Sequence, residues 1–269
     1  MVLALFLIVL AIPLHELGHA IYMKKYGIPI AVFSFGLPFP VNLQIKCKRF
    51  LGNTVFQITP LLIGAYVKTR NERDIEKLTY AKQADIFGAG PLANFLFAAS
   101  LIWAVLLYHM VVLVSGNYAP PTAKNAELNY NAVLGLGLML ILPIALFFGR
   151  KLFSRYLMPF VGLTMLGAMV WSIINKPLTA TSGPIGITKM ISENSSDFQS
   201  AIIISAIISL SIGLFNTLPI MPLDCGHACK VLLEKRFGKK IGLYYSYTSA
   251  PITIGIIALA LFSDIKNLF

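Results

Sequence analysis

One stretch near the start constrains this chain more than any other. From Val2 to Tyr22 the residues are apolar or small except at His15, Glu16 and His19, with Pro13 and Gly18 as the only further breaks. A run of about 20 such residues reads as a helix crossing a bilayer. Ionisable groups inside it are costly unless they are paired, metal-bound or wetted, so three within five residues need a shared purpose. On a helix, His15 and His19 lie one turn apart on the same face and can bind one ion. The spacing His15-Glu16-Leu17-Gly18-His19 is H-E-x-x-H, in which the two histidines bind Zn²⁺ and the Glu is the general base for a water that the metal activates.

The remaining composition agrees with a membrane setting. The 269 residues are 57% hydrophobic and 12% charged, with a mean hydropathy of +0.76, as in a polytopic membrane protein. Apolar stretches predict six spans, at residues 2–22, 86–114, 133–148, 157–174, 201–220 and 247–262. The fold class expected is thus an all-α polytopic membrane protein with about six transmembrane helices, forming one domain over residues 1–269. The net charge of +11 does not point to nucleic acid, because Lys and Arg collect in alternate loops. Segments 23–85, 149–156 and 223–246 hold 10, 3 and 5 of them, against four elsewhere (Lys124, Lys176, Lys189 and Lys266). This asymmetry places the basic loops in the cytoplasm and the termini outside, with His15 and His19 toward the cytoplasmic end of the first span. No basic leader or cleavage site precedes the first span, so it is expected to be retained. Cys47, Cys225 and Cys229 fall on the reducing side and imply no disulfide framework.

The first basic loop contains a different pattern. Val41 to Lys48 alternates apolar and polar residues, Gly52-Asn53 supplies turn chemistry, and Thr54 to Thr59 resumes an extended pattern, so a β-hairpin at the membrane surface is expected within about residues 41–68. The apolar Phe33 to Pro40 reads as its approach, dipping into the interface. An edge strand there is a candidate to pair with an extended peptide. The charged run from Lys68 to Lys77 reads as a solvated connector.

The second half of the site is expected where the fifth span ends. Pro219 and Pro222 should break that helix, and Asp224 follows at the depth of His15 and His19. A catalytic zinc usually has three protein ligands and an open position, and Asp224 is the best-placed carboxylate for the third. Asn94 puts an amide into the second span beside the small residues Gly88, Ala89 and Gly90.

These pieces together resemble the site-2 protease (M50-type) family of intramembrane zinc metalloproteases, in particular the bacterial branch that includes the sigma-E regulator protease. The matching segments are His15 to His19, Pro60 to Lys68, Gly90 to Asn94, Ser182 to Ile187 and Asn216 to His227, dispersed over most of the chain in the family's order. The resemblance implies His15, His19 and Asp224 as zinc ligands and Glu16 as catalytic base. It implies positions near the substrate or transition state for Asn94 and Asn216. It also implies cleavage of transmembrane protein substrates from within a bacterial inner membrane, in regulated intramembrane proteolysis of anti-sigma factors or remnant signal peptides. Two departures stand out: Cys225 replaces a glycine in the family's Leu-Asp-Gly-Gly-His, and Ile63-Gly64-Ala65 replaces a paired glycine. No PDZ domain fits between the second and third core spans. The rival reading is a non-catalytic membrane-embedded adaptor, a pseudoprotease that binds transmembrane segments without cutting them.

Overall fold

A computed structural model of the chain describes residues 2–47, 52–61, 64–71, 73–115, 148–175 and 198–266. Helix α1 (Val2–Lys25) has 24 residues, about 36 Å at the α-helical rise and enough to cross a bilayer. Its buried face is Ala4, Ala11, His15, His19, Ala20 and Met23, so the motif lies on the inward stripe. Gly27 ends the helix: at φ 76 it takes the left-handed geometry that suits glycine. The Ile28 N–H then turns back to the Met23 carbonyl at 2.9 Å.

Four strands follow: β1 (Ile30–Phe35), β2 (Leu43–Cys47), β3 (Thr54–Ile58) and β4 (Ala65–Thr69). The expected hairpin is present as β2 and β3, antiparallel with Ile45 opposite Phe56. The hairpin is half of a larger sheet, in the order β2-β3-β1-β4. The stretch read as an apolar approach is in fact the inner strand β1, parallel to β3 and antiparallel to β4. An inner strand packed on its neighbours need not alternate, which is why Ile30–Phe35 escapes a period-two search. Ile30 and Phe33 pack with Ala20, Met23, Ile28 and Ile86, fixing the sheet to the end of α1 and to the start of the next long helix. Leu37, Phe39, Val41, Leu43 and Ile45 stay exposed, an apolar fringe suited to a membrane interface.

Helix α2 (Arg73–Glu76) lies in the charged connector, and α3 (Tyr80–Val114) begins six residues before the expected boundary of 86. Asp85, within that extension, is only 1% exposed. A Cβ on Gly18 would collide with the Ala89 carbonyl, and one on Gly213 with the Phe95 ring. The two glycines let α3 press against α1 on one side and against α6 (Phe198–Asn216) on the other. Ala4 meets Ala201, Ile204 and Ile208, so α1, α3 and α6 form the core.

Helix α4 (Arg150–Leu152) runs through a π-helical turn, Phe153–Leu157, into α5 (Met158–Asn175). This arm starts seven residues before the expected 157. The span expected at 133–148 lies outside the described residues except for Phe148, as does Ser182 to Ile187. Helix α6 stops at Asn216, as expected for a segment followed by Pro219 and Pro222. After a turn come α7 (Asp224–Phe237) and α8 (Lys239–Lys266). Among the described residues five helices are long and apolar enough to cross a membrane: α1, Tyr80–Tyr108 of α3, Arg150–Trp171, α6, and Lys239–Ala260 of α8.

Candidate metal centre

The break after α6 returns the chain so that the first residue of α7, Asp224, faces the inward stripe of α1. Asp224 Oδ2 lies 3.0 Å from His15 Nε2 and Oδ1 lies 3.3 Å from His19 Nε2. The two rings are 4.9 Å apart between centroids and nearly perpendicular. Among the described residues His15, His19 and Asp224 are the one group of His, Cys, Asp or Glu whose ligand atoms converge, all within 4.8 Å.

The hydrogen bonds behind the rings fix which nitrogens point inward. His19 Nδ1 lies 2.8 Å from the Ile86 carbonyl, an acceptor only, so Nδ1 carries a proton and, in the neutral imidazole, Nε2 keeps its lone pair. For His15 the reasoning passes through Asn94. The Asn94 amide nitrogen donates to the Ser209 carbonyl at 3.3 Å, which turns its oxygen toward His15 Nδ1 at 3.2 Å. The His15 Nε2 is therefore also an acceptor. The Ser209 hydroxyl returns a hydrogen bond to the Asn94 carbonyl at 3.0 Å, closing the link between α3 and α6. Asn94 is fully buried, and both ends of its amide are engaged, the oxygen with His15 and the nitrogen with Ser209.

Two imidazole lone pairs and a carboxylate thus meet without a donor among them. Asp224 Oδ2 is buried and has no hydrogen-bond partner among the described residues. Such a cluster is repulsive until a proton or a metal cation enters it. The set of two His nitrogens and one carboxylate matches a catalytic zinc site with an open position. Ligands about 2.0–2.2 Å from a tetrahedral zinc stand roughly 3.3 Å from one another; each Nε2 has an Asp224 oxygen at such a distance, 3.0 Å to Oδ2 and 3.3 Å to Oδ1, and the whole set lies within 4.8 Å. Room is kept by Gly90, since a Cβ there would run into both Nε2 atoms. The residues present fit the ion.

Glu16 sits on α1 between the two histidines, with its carboxylate near the Val67 backbone N–H. That N–H belongs to β4, an edge strand, so one edge of the sheet faces the site. The other edge, β2, is the one the sequence pattern had suggested for peptide pairing. Asn216 ends α6 with its side-chain amide donating to the Ile212 carbonyl at 3.0 Å. His227, three residues after Asp224, stacks on Phe87 with centroids 5.5 Å apart.

Cys225 has an ordinary backbone: among the described residues the only non-glycine at positive φ is Asn53. Its side chain is fully buried with Leu92, Phe95, Phe153 and Met158, and its sulfur lies 3.9 Å from that of Cys229. The departure is therefore absorbed by the apolar packing beneath α7. Gly226, the glycine that remains, is the position where a Cβ would strike the Ile220 carbonyl.

A support not visible in the sequence lies one residue from the Ile86 carbonyl. Asp85 receives two hydrogen bonds from Arg155, at 2.9 and 2.7 Å, and one from the Tyr26 hydroxyl at 2.6 Å. The π-helical turn that carries Arg155 is held close by Gly88, where a Cβ would collide with Ser154. Arg155 had read only as a basic loop charge.

The profile of peptidase family M50 matches residues 2–261. The chain belongs to that family. A Campylobacter jejuni relative, named as a zinc metalloprotease, is 24% identical over 94% of this chain and 90% of its own length. A Borreliella burgdorferi relative named the same way is 31% identical over 45% of this chain and 29% of its own length. The regulator of sigma-E protease RseP of Salmonella typhimurium is 33% identical over 39% of this chain and 25% of its own length. The chain thus spans under a third of the last two relatives, and most of the first. As a member of peptidase family M50 with several membrane-length helices, the protein is a multi-pass membrane protein.

Proposed function

We propose that this M50 protein is an intramembrane zinc endopeptidase that hydrolyses peptide bonds within or near transmembrane segments. Its centre lies toward the cytoplasmic side of a bacterial inner membrane. The observation that carries this is the convergence of His15 Nε2, His19 Nε2 and the unpartnered Asp224 Oδ2 on one point beside Gly90, with the Glu16 carboxylate next to it.

His15, His19 and Asp224 would hold the zinc, which when bound supplies a Lewis acid for the peptide carbonyl and acidifies a water molecule. Glu16 takes the proton from the attacking water and passes it to the departing amine. Asn94 and the Ile86 carbonyl keep the imidazoles oriented, as outer partners of metal-binding histidines do. A transmembrane helix has its carbonyls tied up in hydrogen bonds and must be drawn out before it is cut. The free edge of β4 beside Glu16 is placed to receive the extended segment as an added strand. Asn216 is assigned next to the reacting peptide by resemblance; its present bond to Ile212 would have to open for it to contact substrate.

Reconstituted wild type and Glu16→Gln, each assayed for zinc, would be incubated with single-span candidate substrates and the products sized by mass spectrometry. The expected result is about one zinc per chain in both, and cleavage within the apolar span by wild type alone, with a rate lower by roughly 10²–10⁴ in the variant. Binding of substrate by both and cleavage by neither, with zinc present, would establish the adaptor instead.

A further inference from the structure

The break after α6 frees backbone groups, and a helix that supplies nothing else to the centre takes them up. Pro219 and Pro222 carry no N–H, so the donors of residues 218–223 are the N–H groups of Leu218, Ile220, Met221 and Leu223. Leu218 bonds the Phe215 carbonyl at 3.1 Å, Ile220 that of Leu218 at 2.8 Å and Leu223 that of Ile220 at 3.0 Å. The remaining donor crosses to α8, where the Met221 N–H reaches Ser249 Oγ at 3.2 Å. The Met221 carbonyl accepts from the Thr253 hydroxyl at 2.6 Å, and the Pro219 carbonyl accepts from the Tyr245 hydroxyl at 2.6 Å.

Tyr245, Ser249 and Thr253 are spaced four apart on α8 and share one face. Ser249 and Thr253 are buried, although α8 is the least buried of the membrane-length helices among the described residues. The Ser249 hydroxyl donates to the Tyr245 carbonyl at 2.7 Å, which leaves its oxygen free to accept from Met221. Ser246 and Thr248, on other faces, bond carbonyls of α8 itself. The segment held by the stripe ends three residues before Asp224, and the first turn of α7 rests on it at Gly226, where a Cβ would strike the Ile220 carbonyl. The two histidines are held from a different helix, by Asn94 and the Ile86 carbonyl of α3. The third ligand therefore has a mount of its own.

We propose that Tyr245, Ser249 and Thr253 form a clasp through which α8 fixes the position of Asp224, making them positioning residues of the metal centre. The inference rests on the zinc reading above. Unpaired backbone groups are costly at membrane depth, so a broken helix there needs partners. That all three hydroxyls meet the residues leading into the third ligand ties those partners to the centre. Without the clasp the turn is free to shift against α8, and the carboxylate loses its fixed distance to two imidazoles mounted elsewhere. The centre then falls back on His15 and His19.

Titration of the metal-stripped full chain in detergent tests this, with Zn²⁺ against a competing chelator and with Co²⁺, whose visible bands weaken as waters replace a ligand and the coordination number rises. Tyr245→Phe/Thr253→Val is expected to bind zinc about tenfold more weakly than wild type, the scale on which groups behind a ligand act, and to give weaker cobalt bands. Thr253→Ser, which keeps the hydroxyl, and Thr248→Val, which removes one bonded within α8, should both match wild type. In an Asp224→Ala background the double change should have no further effect on affinity, because the clasp acts through that carboxylate. A general loosening of the fold would weaken binding in both backgrounds, and that result would overturn the proposal. So would wild-type affinity and spectrum in Tyr245→Phe/Thr253→Val. Wild type that binds neither ion would overturn the zinc reading itself, and the clasp with it.

Discussion

At the residue scale, the centre depends on what Gly90 lacks as much as on what the ligands supply. Gly90→Ala places a methyl where both Nε2 atoms point, and is expected to lose most of the bound zinc by elemental analysis. Gly167→Ala, at a site with nothing within 4 Å of the new methyl, should keep it. Cys225→Ala should retain both zinc and activity, because the thiol contacts only apolar side chains and Cys229. Its cost is packing, about 1 kcal/mol for a small buried group, read from thermal unfolding. The two histidines and Glu16 stood out because a helical spacing and a polar triplet in an apolar run are local signals. Asp224 was legible because the prolines before it announced the break. Asn94 drew attention as an amide in a span, but its partner His15 is distant in sequence, and the Ile86 carbonyl is a backbone group with no signature at all.

At the scale of elements, the contact that ties α4 and its π-helical turn to α3 is the ion pair of Asp85 and Arg155. Removing one partner of a buried pair leaves a charge uncompensated, at a cost of about 3–5 kcal/mol. Arg155→Ala is expected to be destabilised by that order, and Asp85→Ala/Arg155→Ala by clearly less than the sum of the single changes, in denaturation of the reconstituted protein. Tyr26 adds a pH dependence. Burial first, and then its hydrogen bond to Asp85, push its phenol up to about 12 from an ordinary value near 10. A raised folded value favours the neutral form, so its contribution is complete below about pH 10 and is lost as the pH rises toward 12. Wild type should therefore be more stable than Tyr26→Phe at pH 8, and the two should converge by about pH 12. Asp85 escaped the sequence reading because the span was begun one residue after it. Arg155 was assigned to topology because nothing local marks a partner 70 residues away. The sheet was half legible: the outer hairpin alternates, while β1, covered by neighbours on both edges, does not.

At the scale of the whole molecule, the distribution of Lys and Arg sets an orientation that labelling can check. In a chain freed of its own cysteines, a cysteine at Lys151 or Lys239 should react only from the cytoplasmic side, and one at Asn125 only from outside. The reverse pattern would put the Glu16 carboxylate on the other face. Lys151 serves better than its neighbour Ser154, whose 3% exposure would hide a label. The separation of the ligands along the chain also bears on biogenesis. His15, Glu16 and His19 emerge from the ribosome before the sheet and Asn94, and Asp224 follows only after all of them. Synthesis from the N-terminus at about 5–20 residues per second leaves an interval of many seconds in which the early helices are inserted among other newly made membrane segments. Throughout it the third ligand is absent, and arrested chains ending at Leu223 should hold no tightly bound zinc. A protease with this order of parts would be harmless to its neighbours in the insertion machinery until Asp224 has been added.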